Sequence, residues 1–308
     1  MPPSKPAAKS SVAKEKVPLP PLSDEIVGRP PIASVWQISR RASLLFWRHK
    51  QLFLGIALVT ALLNLLLAQG FASVNVDGLK AQLGQALPGP AGSAAVGFLV
   101  YVNLIGSSSG STSNSSAAYQ LFLTLIGSLA IIWALRQSIA GATVRIRDAF
   151  YQGMYPLVPF LLTILLIGVQ LIPLVVGAVL FATVISKGIA VLLLEKVLWG
   201  LLFVALAVVS LYMLSSTLIA LYIVTLPAMT PLKAVRSARE LVRGRRWTIM
   251  RKVLFLPCLF LLVSLIIMLP VIAWAAPVAT YVFFLLSSLA LPALHFYMYG
   301  LYRELLNE

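Results

Sequence analysis

Cysteine, histidine and acidic side chains are nearly missing from this chain. Its one cysteine, Cys258, lies inside an apolar run, which excludes an internal disulfide framework and a thiolate metal cluster. The two histidines, His49 and His295, have no acidic neighbour in sequence with which to build a metal site. Nine aspartates and glutamates stand against 24 lysines and arginines, so carboxylate acid–base chemistry has little to draw on. Charge of either sign is scarce: 11% of residues are charged and 60% hydrophobic, whereas soluble domains carry about 25% charge. That balance excludes a water-soluble fold and implies a bilayer.

The familiar motifs of zinc hydrolases, redox dithiols and phosphate-binding lysine loops are missing too. GSSSG at 106–110 matches a nucleophile pattern only formally, because it opens a serine-rich stretch with no strand-turn-helix context. Asp148, between Arg147 and an aromatic turn, reads as a surface ion-pair partner rather than a catalyst. The expectation is a protein that is not an enzyme and holds no cofactor or metal. A net charge of +15 would suggest nucleic acid in a soluble protein. Here the basic residues lie between apolar runs, and no aromatic-rich strand or finger accompanies them, so no nucleic-acid partner is expected.

What the chain does have is six apolar runs, at 52–69, 119–135, 157–184, 197–226, 253–273 and 278–299. Each is near the roughly 20 residues that carry a helix across a hydrocarbon core of about 30 Å. The stretch 188–226 is longer than one crossing and must bend, tilt or begin at an interface, with Glu195 and Lys196 at the water boundary. Loop charge sets the orientation. Nine basic residues from Lys5 to Lys50 precede the first run, Arg136, Arg145 and Arg147 follow the second, and Arg303 follows the sixth. After the fourth come Lys233, Arg236, Arg239, Arg243, Arg245, Arg246, Arg251 and Lys252, whereas the alternate loops hold only Lys80, Lys187 and Lys196. The positive-inside rule therefore places both termini in the cytoplasm of a multi-pass protein of the cytoplasmic membrane. The first run is expected to act as a signal anchor.

Residues 1–34 are rich in Pro and Lys and read as a disordered cytoplasmic tail. Its PLPPL run at 18–22 is a candidate polyproline ligand for a protein partner, beside the plainer reading of a solvated tether. Residues 35–308 form the six-span domain, with an external loop at 70–118. In that loop AAVGFLVYVNLIG at 94–106 is apolar but too short to cross, and reads as an external or interfacial element.

Basic residues and an apolar-aromatic turn precede the first, third and fifth runs: RRASLLFWRHKQLF at 40–53, RIRDAFYQGMYPLV at 145–158 and RSARELVRGRRWTI at 236–249. The pattern suggests three copies of one unit, beside the plainer reading that any span entered from the cytoplasm needs a basic approach. The fold class expected is all-α, a polytopic transmembrane helix bundle of six spans in three hairpins, each preceded by a cytoplasmic interfacial helix. In the third copy a basic amphipathic cytoplasmic helix is predicted at 230–248, with Thr230 as cap and Pro231 at the first helical position. Lys233, Arg236, Arg239 and Arg243 fall on one side and Ala234, Val235, Ala238, Leu241 and Val242 on the other, with Gly244 as the bend into the next span. Such a helix lies on a membrane surface. Lys233, Arg236, Arg239, Arg243, Arg245 and Arg246 are the candidate headgroup contacts, and membrane lipids, anionic phospholipids above all, are the expected partners.

Within the spans the polar residues are mild. Asn64, Gln170, Ser216 and His295, with Glu195 at the boundary, are candidates for a pathway or for packing between helices. Pro173, Pro257 and Pro292 are expected to kink their helices.

The stretch LPAMTPLKAVRSARELVRGRRW at 226–247, with Pro231, Ala234, Ser237, Leu241, Gly244 and Trp247, resembles the bacterial YciC-like membrane proteins. It is also similar to the membrane domain attached to some glycerophosphodiester phosphodiesterases. The resemblance implies a location and a fold; no catalytic barrel accompanies it, so that activity does not carry over. The function expected is a non-catalytic membrane or lipid-interacting component. The alternative is a transporter or channel for a small or lipidic solute.

Overall fold

The structure is a computed structural model that describes residues 33–67, 78–81, 96–102, 104, 114–227 and 229–306. The tail expected at 1–34 lies outside these residues except for Ala33 and Ser34. Among the described residues the chain is helical, with no strand. Its helices are α1 (Val35–Arg48), α2 (Lys50–Leu67), α3 (Asn114–Ile139), α4 (Ile146–Gly153), α5 (Leu157–Ser186), α6 (Leu193–Ile223), α7 (Pro231–Val242), α8 (Arg246–Trp274) and α9 (Ala276–Leu305). Six of them, α2, α3, α5, α6, α8 and α9, are long and apolar enough to cross a membrane.

The other three are short and strongly amphipathic, and each precedes a hairpin. Their starts follow from local chemistry. Ser34 and Gln37 form a reciprocal capping box on α1. Asp148 places a carboxylate in the first turn of α4, where it complements the helix dipole. Thr230 accepts from the Lys233 amide, and Pro231 at the start of α7 has no N–H to leave unsatisfied.

The short helices are packed against the bundle. Each packs on the second helix of a hairpin: α4 on α3, α7 on α6, and α1 on α9. The first two fold back along the helix that precedes them, and α1 does the same to the last helix of the chain, which closes the set into a ring. Hairpins pair α2 with α3, α5 with α6 and α8 with α9, while α9 also meets α2, α3 and α6. The three-copy pattern in the sequence thus has a matching three-part arrangement in space.

One core at the basic end joins all of these elements. It takes Ile38, Phe53, Leu129, Ala149, Phe160, Ile219, Ala234, Ile249 and Phe296, drawn from nine helices. A smaller core at the opposite end packs Val96, Val100, Tyr101 and Leu104 on Met268, Ile272, Ala276 and Ala279. The apolar element within 94–106 is therefore a helical cap on the α8–α9 turn. Lys80 supports it by donating to the terminal carbonyls of α8, Ile272 and Ala273, at 2.8 and 2.7 Å. The remainder of 70–113 lies outside the described residues, and α3 begins at Asn114, inside the expected loop.

Elsewhere the long helices other than α3, which is largely buried, expose many leucine, isoleucine and valine side chains, a surface suited to hydrocarbon rather than water. Aromatic side chains frame it. Trp36, Trp47, Tyr151, Tyr155 and Trp247 are exposed at the basic end, and Trp274, Tyr281 and Tyr119 at the other, as in interfacial belts. Along α8 the two exposed tryptophans are about 27 residues, or about 40 Å, apart, close to the full thickness of a bilayer with its headgroups. The chain is an integral, multi-pass membrane protein.

The long stretch 188–226 is resolved by burial. Gly188 turns the chain with a φ of 63°, and α6 starts at Leu193. From there to Tyr212, about 19 residues or 29 Å, it packs only along a stripe against α5 and is enough for one crossing. The remaining turns, with Ser215, Ser216, Thr217, Ile219, Ala220, Tyr222 and Ile223 buried, belong to the core at the basic end.

Candidate lipid interface and polar core

The basic helix expected at 230–248 is shorter than that. It ends at Val242, because Gly244 adopts a φ of 81° and reverses the chain. α8 then begins at Arg246 rather than at 253, and its helical hydrogen bonds continue through Arg251 and Lys252. Ala234, Val235, Ala238 and Val242 are buried in the core against α6, so the apolar face of α7 is covered by protein and not available to lipid. Lys233, Arg236, Arg239 and Arg243 are exposed on the opposite face.

Arg245 and Arg246, expected within the same helix as headgroup contacts, instead cap and begin α8 and are half-buried. The Arg246 guanidinium lies 5.0 Å from the centre of the Tyr212 ring. Tyr212, Arg243, Gly244, Arg246 and Trp247 line a polar cleft of about 380 Å³. The same pairing of cation and ring recurs in the other copies, with Lys50 near Trp47 and Arg147 near Tyr151. An aromatic ring at an interface is a favourable seat for a cation that must also stay wet.

The polar candidates divide between several places. Gln170 and the residue after Ser216 meet: the Thr217 hydroxyl donates to Gln170 Oε1 at 2.7 Å, buried between α5 and α6. One turn further on, beside Pro173, the Leu174 amide donates to Ser210 Oγ at 3.0 Å. Ser216 itself donates back to the Met213 carbonyl within its own helix. Asn64 does not join them. It stands on α2 and donates to the Thr60 carbonyl at 3.1 Å, leaving its Oδ1 buried without a partner.

His295 on α9 pairs through Nδ1 with the Tyr222 hydroxyl at 3.0 Å, and its Nε2 is buried with no partner. Tyr222 also packs its ring against Tyr299 and Tyr302. Glu195 accepts the amides of Val191 and Leu192 at 2.9 and 3.1 Å, so it caps the start of α6. Among the described residues no three His, Cys, Asp or Glu side chains converge as metal ligands.

Sequence reasoning counted Arg136 only as a loop charge. In the fold it clamps α3 to the end of α6, donating to the Thr225 carbonyl at 2.9 Å, to Thr225 Oγ1 at 2.6 Å and to the Tyr222 carbonyl at 3.4 Å. A guanidinium on exposed C-terminal carbonyls satisfies groups that a helix end leaves open and complements its dipole. Lys252 was likewise read as a surface charge, yet it is buried, with its ammonium on the Ala33 carbonyl.

The arrangement defines a class, an all-helical polytopic membrane bundle made of three hairpins and three clasping amphipathic helices. No family model, curated protein or solved structure matches the chain.

Proposed function

We propose that this is a non-catalytic, lipid-interacting component of the cytoplasmic membrane, with its termini and basic helices on the cytoplasmic side. The observation that carries the reading is the division of α7. Its apolar face is committed to the bundle, and Lys233, Arg236, Arg239 and Arg243 are exposed on its other face. A fixed array of cations attracts anionic headgroups, each Lys or Arg near the surface contributing about 1 kcal/mol. The affiliation with YciC-like membrane proteins belongs to the same proposal and rests on the Pro231-to-Trp247 sequence pattern.

The transport alternative is less well supported. A path would need Asn64, Gln170 and Ser216 to face one another, and they are engaged separately on α2, α5 and α6.

The test uses full-length protein reconstituted in mixed bilayers with spin-labelled lipids. Selectivity for phosphatidylglycerol over phosphatidylcholine should exceed unity, decline with salt, and fall several-fold on reversing Arg236, Arg239 and Arg243 to glutamate. Equal selectivity in the parent and the reversed protein would remove the lipid role.

A further inference from the structure

A second feature at the basic end has the shape of a site for a single lipid. The Lys252 ammonium donates to the Ala33 carbonyl, and the Lys252 carbonyl accepts from the Tyr297 hydroxyl at 2.9 Å. These ties hold the chain just ahead of α1 against α8, and the Ser34–Gln37 capping box fixes the first turn of α1 there. Between Val35 and α8 they leave a groove of about 530 Å³, within the range of small-molecule sites.

The lining of the groove is graded. Thr248 and Arg251 stand at one end, both exposed, and Leu254, Phe255 and Cys258 continue along the same side of α8. Arg251 is one turn past Trp247, whose exposed indole belongs to the interfacial belt. Cys258 is about 10 Å further along the helix, at the depth of acyl chains. Glu304, which also faces Lys252, is ion-paired to Arg41, so the mouth keeps a cationic character. A guanidinium fork matches a phosphate in two-point geometry, and the Thr248 hydroxyl one turn away adds a donor.

We propose that this groove holds one anionic phospholipid, with its phosphate on Arg251 and an acyl chain along Leu254, Phe255 and Cys258. The proposal rests on the lipid-interacting reading above but not on α7.

Cys258 is the chain's one cysteine and is exposed, so a small fluorophore can be placed there in the otherwise native, reconstituted protein. Phosphatidylglycerol brominated in its chains should quench it more effectively than brominated phosphatidylcholine, by about fivefold, the factor that one basic side chain near an anionic headgroup contributes. Arg251→Gln should bring the ratio to near one. A reference label at Val175→Cys in a Cys258→Ser background, on the lipid-facing side of α5, should show a ratio near one throughout. Without any label, Arg251→Gln should retain less anionic lipid through mild detergent extraction than the parent.

No preference at Cys258, the same preference at position 175, or a preference and lipid retention both unchanged in Arg251→Gln would overturn the proposal. Reversal of Arg236, Arg239 and Arg243 should leave the Cys258 ratio in place. Failure of the α7 reading therefore shows in bulk selectivity, and failure of the groove shows at Cys258 and in lipid retention by Arg251→Gln.

Discussion

The Thr217 hydroxyl on α6 donates to Oε1 of Gln170 on α5 across 2.7 Å, and both side chains are buried within an otherwise apolar hairpin. Lipid tails are as apolar as leucine, so such a bond contributes to helix pairing that burial alone does not drive. Its net value is limited, because separated helices find other partners, Thr217 already having the Met213 carbonyl at 3.3 Å. A double-mutant cycle of Thr217→Val and Gln170→Leu, read by reversible unfolding in mixed micelles, should give a coupling of about 0.6–1.7 kcal/mol. Strict additivity would mean that the pair does not form in the membrane.

The approach of α4 to α3 depends on the missing side chain of Gly153. A Cβ there would stand 3.0 Å from Ala130 Cα and 3.1 Å from the Leu129 carbonyl oxygen, and backbone cannot turn aside as a side chain can. Gly153→Ala should destabilise the bundle by about 1–3 kcal/mol. Gly168→Ala, where nothing lies within 4 Å, is the control and should be neutral or slightly stabilising through helix propensity. Equal melting shifts for the two variants would remove the clasp as a close backbone contact.

Closure of the ring, α1 onto α9, has both an ion pair and an aromatic cluster. Arg41 pairs with Glu304, but its side chain is 70% exposed, and exposed pairs contribute only about 0–1 kcal/mol. Phe296 is buried, with ring centres 4.5 Å from Phe53 and 5.5 Å from Phe46 in edge-on contacts. Phe296→Ala should cost about 3–5 kcal/mol, whereas Arg41→Ala should stay within about 1 kcal/mol, both by unfolding in mixed micelles. A larger loss for Arg41 than for Phe296 would reverse the assignment.

The six crossings and three basic approaches were legible because hydropathy and amphipathic spacing are local properties. Boundaries were less so. At the start of α8, Arg251 and Lys252 read as water-exposed loop, yet backbone hydrogen bonding is indifferent to side-chain charge and the helix runs through them. At Gly244 the reverse held: a bend was expected, but the helical periodicity carried the assignment past it to 248. The apolar face of α7 has the same pattern whether it meets lipid or protein, and only the position of α6 decides between them. Gln170 was a candidate by its polarity, but its partner Thr217 is 47 residues away, and no spacing rule reaches that far. Arg136 and Lys252 were hidden for the same reason, since the carbonyls that they bind belong to distant parts of the chain.

Orientation is the remaining prediction, and it rests on charge asymmetry rather than on the fold. Lys187, in the α5–α6 turn, and Glu240, on the exposed side of α7, lie at opposite ends of the bundle and are both exposed. Placed singly in a Cys258→Ser background, Lys187→Cys should react with a membrane-impermeant thiol reagent in intact cells, and Glu240→Cys only after permeabilisation. The asymmetry arises because the translocation of lysine and arginine is disfavoured for short loops near span ends, and the segment 231–252 is densely basic whereas the α5–α6 turn carries little charge. Labelling of Glu240→Cys alone in intact cells would invert the topology. It would place the α7 face and the Arg251 groove on the outer leaflet, where a different lipid population would have to supply their anions.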